Sequence, residues 1–494
     1  MTTKYRKRPR NLLFLLSDEH RGDLLGCEGS VPVATPHLDL LAEQGTRFRH
    51  AYTPSPICVP ARAALATGRW VHQTGYWDNA IAYEGRWTSW HHRLAAAGVR
   101  VESIGKLHFR QIADPTGFQQ QHEALHIHDG VGLVWGSVRD PLPLHRGPSP
   151  IFQDMGPGES SYNRFDHRVT ERSIDWLAQR AKEQGGDEER PWCLFVGLVA
   201  PHMPFVVPQS WLDRYPPETI ALPALHPERG YRRHPWVERM ARHWDHDAAA
   251  ATDERRRLAM ACYYGLLSYM DHNVGRILGA LDQLGLADDT TVVYSSDHGD
   301  NLGSRGLWNK STLYRESTHI PMIVRGADIP RGAVVDTHVN LVDVYPTALD
   351  ACGIQPLLEE AALPGASLFE LANSEDDAGR YAFSEYHAVG SDGAAYMLAA
   401  DGYKYHHYAN HDPELFDLRQ DPQEARNLAG DERYRPVISR FERELCGRLD
   451  PAAVDRRAKR DQNDLVARFG GREAALATGN PGATPIPDPT SATG

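Results

Sequence analysis

Short apolar runs alternate along this chain with longer segments whose apolar residues recur at helical spacing, and that alternation limits the fold more than any other feature. Asn11–Leu16, Trp192–Val199, Thr290–Ser295 and Pro321–Val324 read as strands. Pro36–Gln44, Ser89–Ala97 and Arg168–Glu183 read as helices, and the clearest helix runs from about Glu254 to Leu284, with Gly285 as a stop. Strands alternating with helices predict an α/β fold with a largely parallel sheet. Polar clusters follow three strands directly: Ser17-Asp18-Glu19-His20, Pro201-His202-Met203-Pro204 and Ser296-Asp297-His298-Gly299-Asp300. Ligands of open α/β sheets bind beyond the carboxyl ends of strands, so these distant segments are expected to share one rim.

At 494 residues the chain exceeds one ordinary core. Composition shifts near Pro356–Asp377, and beyond it Tyr381–Tyr386, Ala395–Ala399 and Tyr403–His407 read as short strands, with Pro436–Leu449 as a helix. The expected organisation is a catalytic α/β domain over 1–370, a C-terminal α+β subdomain with a short antiparallel sheet over 378–450, and an arm or tail over 451–494 that is a candidate oligomer contact. A net charge of −12 without a basic patch argues against nucleic acid, so an anionic substrate would need locally placed cations. Cys27, Cys58, Cys193, Cys262, Cys352 and Cys446 form no CxxC pair, which suits neither a zinc site nor a disulfide scaffold. The apolar run after the basic Lys4–Arg10 is too short for a signal peptide. No stretch approaches the ~20 apolar residues of a membrane helix. A cytoplasmic protein with no membrane partner is expected.

Cys58-Val59-Pro60-Ala61-Arg62 reads C-x-P-x-R. By itself it has two readings: a buried thiol in a loop feeding a helix, with Pro60 in the first turn and Gly68 as the stop, or a reactive residue at the positive end of that helix. Asp18, Asp297 and His298 would offer two carboxylates and an imidazole to one divalent ion. The oxygens suit calcium, and the nitrogen leans toward manganese. Lys106 and His108 alternate in an extended segment, where both would face an anion, holding its oxygens and protonating a leaving group. His202 lies between two prolines after a strand, Lys310 among apolar residues that leave a buried cation needing an anion, and Asn79 beside the apolar Tyr76-Trp77. Each alone also fits an ordinary turn or solvated loop.

Taken in order, Asp18, C-x-P-x-R at 58–62, Asn79, G-K-x-H at 105–108, P-H-x-P at 201–204, S-D-H-G-D at 296–300 and Lys310 resemble the type I sulfatases of the alkaline phosphatase superfamily, over about residues 10–450. The resemblance implies an alkaline phosphatase-like α/β/α sandwich around a large mixed, mostly parallel sheet. It implies that Cys58 is oxidised to formylglycine by a formylglycine-generating enzyme, and that the aldehyde hydrate attacks sulfur. One divalent metal, Ca2+ or Mn2+, would be held by Asp18, Asp297, His298 and the modified Cys58. Arg62 would orient the hydrate, while Lys106, His108, His202 and Lys310 would contact sulfate and leaving group and Asn79 the nucleophile or a sulfate oxygen. His298, where many sulfatases have Asn or Gln, is similar to choline sulfatases and phosphonate monoester hydrolases, and the G-K-x-H segment resembles the former. Choline-sulfatase-like tails imply a homo-oligomer, dimer or tetramer. Glu19 is a departure, since the family usually shows Asp or Gln there. The expected substrate is a small organic sulfate ester. For a choline ester, Trp135, Trp77 and Glu385 are candidates for an aromatic cage with a carboxylate, or are core tryptophans and a surface acid. A phosphonate monoester or phosphodiester hydrolase, and a non-catalytic anion-binding protein, remain the competing readings.

Overall fold

Alternate residues of the first strand enter opposite layers of the molecule. The computed structural model describes residues 10–29, 33–143, 150–186, 190–478 and 484–486. The basic run before residue 10, and 479–483 and 487–494 of the expected tail, lie outside these. The main sheet comprises β1 (Asn11–Asp18), β2 (Thr46–Phe48), β3 (Arg100–Lys106), β4 (Gln120–Leu125), β5 (Trp192–Pro201), β6 (Thr290–Ser296), β7 (Met322–Arg325) and β8 (Ala333–Val335), in the spatial order β8-β2-β7-β6-β1-β5-β3-β4. Seven strands point one way, and only β7 runs antiparallel to its neighbours.

The chain's main helices are α1 (Pro36–Gln44), α2 (Cys58–Thr67), α3 (Trp90–Ala96), α4 (Ser161–Glu183), α5 (Pro235–Trp244), α6 (Asp253–Gln283), α7 (Val344–Ala351), α8 (Arg435–Arg448), α9 (Pro451–Arg468) and α10 (Arg472–Ala477). Leu13 and Leu15 of β1 pack with residues of α1, α4 and α6, whereas Leu12, Phe14 and Leu16 pack with α2, α3 and α7. The two-residue alternation of a strand buried on both faces thus produces the α/β/α sandwich. α4 starts seven residues before the sequence reading placed it. Ser160 caps it by accepting from the Asn163 N–H, a polar start that apolar periodicity does not reveal.

The smaller antiparallel sheet contains β9 (Ala382–Tyr386), β10 (Ala395–Ala400), β11 (Tyr403–Tyr408) and β12 (His411–Asp417), in sequence order. One face packs on Tyr52, Ile57, Trp236 and Tyr314. The other packs on Phe441 and Leu445 of α8, and on Ala64 of α2. The helix that begins at Cys58 is therefore held between the two sheets. Within the expected arm, 451–468 form α9, which docks by polar contacts: Trp77 Nε1–H donates to Asp461 (2.9 Å), and Gln462 Nε2–H donates to Asp78 (2.8 Å). No helix among the described residues is long and apolar enough to cross a membrane.

Candidate active site

β1 and β6 are adjacent and in register, with Ser17 beside Ser296, so Asp18 and Asp297 emerge side by side at their carboxyl ends. Gly299 follows where the backbone passes Glu316, whose carbonyl oxygen would lie 2.1 Å from any added Cβ. α2 aims its first residue, Cys58, at the same point. Cys58 Sγ is 3.1 Å from His298 Nε2 and 3.7 Å from Asp18 Oδ1. Asn79 Oδ1 accepts the Val59 N–H at 3.1 Å, satisfying one free donor of the helix start. The sequence expectation gave Asn79 to the nucleophile or substrate; its observed bond is to the helix backbone, although it also lines the pocket.

Arg62, one turn into α2, lies between the carboxylates. Its Nε donates to Asp297 Oδ2 (2.7 Å), Nη2 to Asp18 Oδ2 (2.9 Å) and Nη1 to the Lys106 carbonyl (2.8 Å). Its hydrogen bonds thus fix the two acids, not the Cys58 side chain. Lys106 Nζ pairs with Asp18 Oδ2 at 2.6 Å. It is turned inward by a bulge at Gly105, whose φ of +96° and close approach to Gly197 exclude a side chain. Lys310 Nζ donates to Glu19 Oε2 at 3.1 Å, and His202 Nε2 lies 3.5 Å from the same oxygen. Asp166 of α4 accepts the N–H groups of Val199 and Ala200, fixing the turn that presents His202.

Burial opposes ionisation of Asp18, but Lys106, His202 and Arg62 outweigh it and hold the carboxyl well below the usual range. Burial and then Asp18 push the Cys58 thiol up to about 11, against the pull of Lys310. Burial also pushes Glu19 well above, and His202 and His108 well below, their ordinary values. For Lys310, burial disfavours the charge, but Cys58, Glu19 and Asp18 prevail and raise its pKa.

The donor set fits one divalent ion. Ligand atoms of Asp18, Cys58, Asp297 and His298 all lie within 4.8 Å of one another and all four residues are buried. With Arg62 and Lys106 on the Oδ2 atoms, each aspartate keeps Oδ1 toward the cluster. His298 Nδ1–H donates to the Gly299 carbonyl at 3.0 Å, which leaves Nε2 as the lone pair facing the acids. Two carboxylates with one imidazole suit manganese or calcium.

Above this floor lies a pocket of about 90 Å³ lined by Cys58, Asn79, Lys106, His108, His202 and Lys310. The polar candidates expected from sequence therefore converge. Trp135 lines it too, stacked near His243 and edge-on to Trp244 of α5 at 5.6 Å. Glu385 does not line it. It is fully buried in a clamp, accepting from His72 Nδ1 at 2.9 Å and from His387 Nε2 at 2.8 Å, so the expected role beside a quaternary ammonium is corrected. Trp77 is likewise committed elsewhere, to Asp461 and His387. The sequence reading missed Tyr162, Trp244 and Thr484 as wall residues. Tyr162 and Trp244 sit on helices with no motif around them, and Thr484 lies in a Pro- and Gly-rich tail, so no local signal marks them.

The Sulfatase family profile matches residues 10–354, and the profile described as N-sulphoglucosamine sulphohydrolase, C-terminal matches 303–449. Choline-sulfatase of Rhizobium meliloti (strain 1021) is 30% identical over 447 residues, covering 85% of this chain and 82% of the relative. Arylsulfatase K of Bos taurus is 29% identical over 461 residues, covering 88% and 81%. The solved phosphonate monoester hydrolase of Agrobacterium radiobacter superposes with a TM-score of 0.71 at 23% identity, over 89% of this chain and 95% of that one, a likeness of fold. The profile spans well over half of the chain, and its residues include Asp18, Cys58, Asp297 and His298, the four that meet at the end of the sheet. The chain belongs to the sulfatase family of the alkaline phosphatase superfamily and is a sulfuric ester hydrolase.

Proposed function

We propose that the enzyme cleaves small organic sulfate monoesters, choline-sulfate-like or aryl, with Cys58 in its formylglycine form as the nucleophile. The observation that carries this reading is the place of Cys58: first residue of a buried helix, against His298 and Asp18, on the floor of a pocket walled by Lys106 and Lys310. As formylglycine hydrate, this position would supply a hydroxyl nucleophile and a second hydroxyl for release of sulfate. A calcium or manganese ion held by Asp18, Asp297, His298 and residue 58 would lower the pKa of bound oxygen groups. Lys106 and Lys310 hold the sulfate oxygens and offset charge that grows on them during transfer. Arg62 keeps the two carboxylates in place. His202 donates its Nδ1–H to the Met203 carbonyl at 2.7 Å, which leaves Nε2 as the lone pair free to take up a proton; once protonated there, His202 would pass that proton to the departing alcohol, with His108 as the other candidate. The helix start adds a positive field where the anion sits. Trp135, Trp244 and Tyr162 make the upper wall aromatic, which suits a flat or quaternary-ammonium alcohol.

The proposal includes a formylglycine-generating enzyme as maturation partner, a cytoplasmic setting and a homo-oligomer. His298, which fits both branches, leaves a second reading, a phosphonate monoester or phosphodiester hydrolase using the same groups. Steady-state kinetics on matched sulfate, phosphonate and phosphodiester substrates separate the two. The first reading expects kcat/KM for sulfate at least about tenfold above the others. A preference for phosphorus would replace it with the second, and no turnover of any ester by converted protein would leave an anion-binding protein.

A further inference from the structure

Thr484 lies 376 residues from His108 in sequence, yet its Oγ1 is 2.8 Å from His108 Nε2. Its carbonyl accepts the Tyr162 hydroxyl at 2.9 Å. Ile486, half-buried, packs on the apolar cluster that contains Tyr162 and Phe165 of α4. Three anchors thus seat this short stretch: a hydroxyl on a site histidine, a carbonyl on a site tyrosine and an apolar side chain on the core.

Thr484 also stands between two cavities. The pocket over Cys58 and a second one reaching Ile127 and Pro485 share Asn79, His108, Leu133 and Thr484. Of these four, Asn79, His108 and Leu133 belong to the catalytic body, and only Thr484 comes from the carboxy-terminal stretch. The second cavity, at about 20 Å³, admits little more than one water. Body residues from Lys310 through His108 to Ile127 thus line two adjoining cavities, with Thr484 in the wall they share and Pro485 beside the smaller one.

We propose that the 484–486 stretch is a specificity-determining partition: it divides an extended substrate groove and restricts the enzyme to esters whose alcohol portion is compact, excluding chain-like sulfated substrates. This rests on the sulfatase reading above and goes further by naming what sets the size of the alcohol. Thr484 also fixes the ring of His108, so the same stretch positions one of the two candidate proton donors.

The test uses full-length protein carrying Thr484→Gly and Ile486→Ser together, which removes the hydroxyl and the apolar anchor while keeping the chain length. In protein produced without conversion, Cys58 keeps its thiol, and mass spectrometry of its peptide follows alkylation by a bulky fluorophore maleimide and by iodoacetamide. The exposed Cys27 and Cys446 serve as internal controls. The partition predicts that the double variant raises bulky labelling of Cys58 about tenfold or more relative to iodoacetamide, with Cys27 and Cys446 unchanged. In converted protein, kcat/KM for a sulfated disaccharide relative to a small aryl sulfate should rise about tenfold or more. Thr484→Val alone, which keeps the bulk, should leave the labelling ratio within about twofold of wild type. An unchanged labelling ratio in the double variant overturns the partition, and an unchanged ester ratio overturns its control of specificity. Absence of ester hydrolysis in wild type and variant alike would overturn the sulfatase reading, while the labelling ratio still decides the partition.

Discussion

Lys310 and Lys106 bring two positive charges to the floor of a pocket that also buries Asp18, Asp297 and Glu19, and each lysine is held by one of those acids. If they serve the transferring sulfate, Lys310→Ala should lower kcat by about 10²–10³, while a purely structural lysine would change stability and leave kcat near wild type. Steady-state kinetics and an unfolding curve on the same preparation separate the two. Glu385 gives a contrasting case. Burial would raise its pKa, but His72 and His387 hold the carboxyl down at about 2. A pKa lower in the folded than in the unfolded chain gives stability that is present above the ordinary carboxylate range and lost as pH falls toward 2. Glu385→Gln should therefore destabilise the protein at neutral pH, and the difference from wild type should shrink between about pH 5 and pH 2. Denaturant unfolding at two pH values measures this, and an equal deficit at both would contradict it. Because Glu385 does not line the pocket, KM for choline sulfate and for an aryl sulfate should respond alike.

Among the elements, α9 has the most unusual support. Its buried residues are Asp455, Ala458, Gln462 and Val466, so half of its buried face is polar and hydrogen-bonded. Gln462 donates to Asp78 and to the His387 carbonyl, and accepts from Arg139. Gln462→Ala removes three hydrogen bonds to buried groups and should cost roughly 2–4 kcal/mol of stability, read from denaturant unfolding. A change under about 0.5 kcal/mol would show that water replaces the side chain. The same polarity explains why α9 was not legible in the sequence. Asp455–Arg468 is dominated by charge, and apolar periodicity is absent where hydrogen bonds do the docking. β4, Gln-Gln-His-Glu-Ala-Leu, and β12, which contains Pro413, escaped for a related reason: both are edge strands, where polar side chains and proline are tolerated. β1, β5 and β6 were legible because burial on both faces demands continuous apolar runs. Asp18, His202, Asp297 and His298 were legible because each follows such a run. Trp244 and Thr484 reach the site only through tertiary packing, which no local pattern encodes.

At the scale of the whole molecule, the rim of the sheet gathers acids from the ends of β1 and β6, a residue from α2 and lysines from two further segments into one buried site. If the acids share a divalent ion, adding calcium or manganese to chelator-treated protein should raise its melting temperature with ion concentration, because the ion binds the folded chain alone. Asp297→Asn should weaken that shift, and a melting temperature indifferent to both ions would remove the metal from the account. The central claim concerns Cys58. The most direct measurement is the mass of the peptide containing it, in active protein produced alongside a formylglycine-generating enzyme. The account expects a loss of about 18 Da, from exchange of hydrogen sulfide for oxygen, with sulfate ester hydrolysis rising in proportion to the converted fraction. Full hydrolysis by protein whose Cys58 is still an unmodified thiol would contradict it.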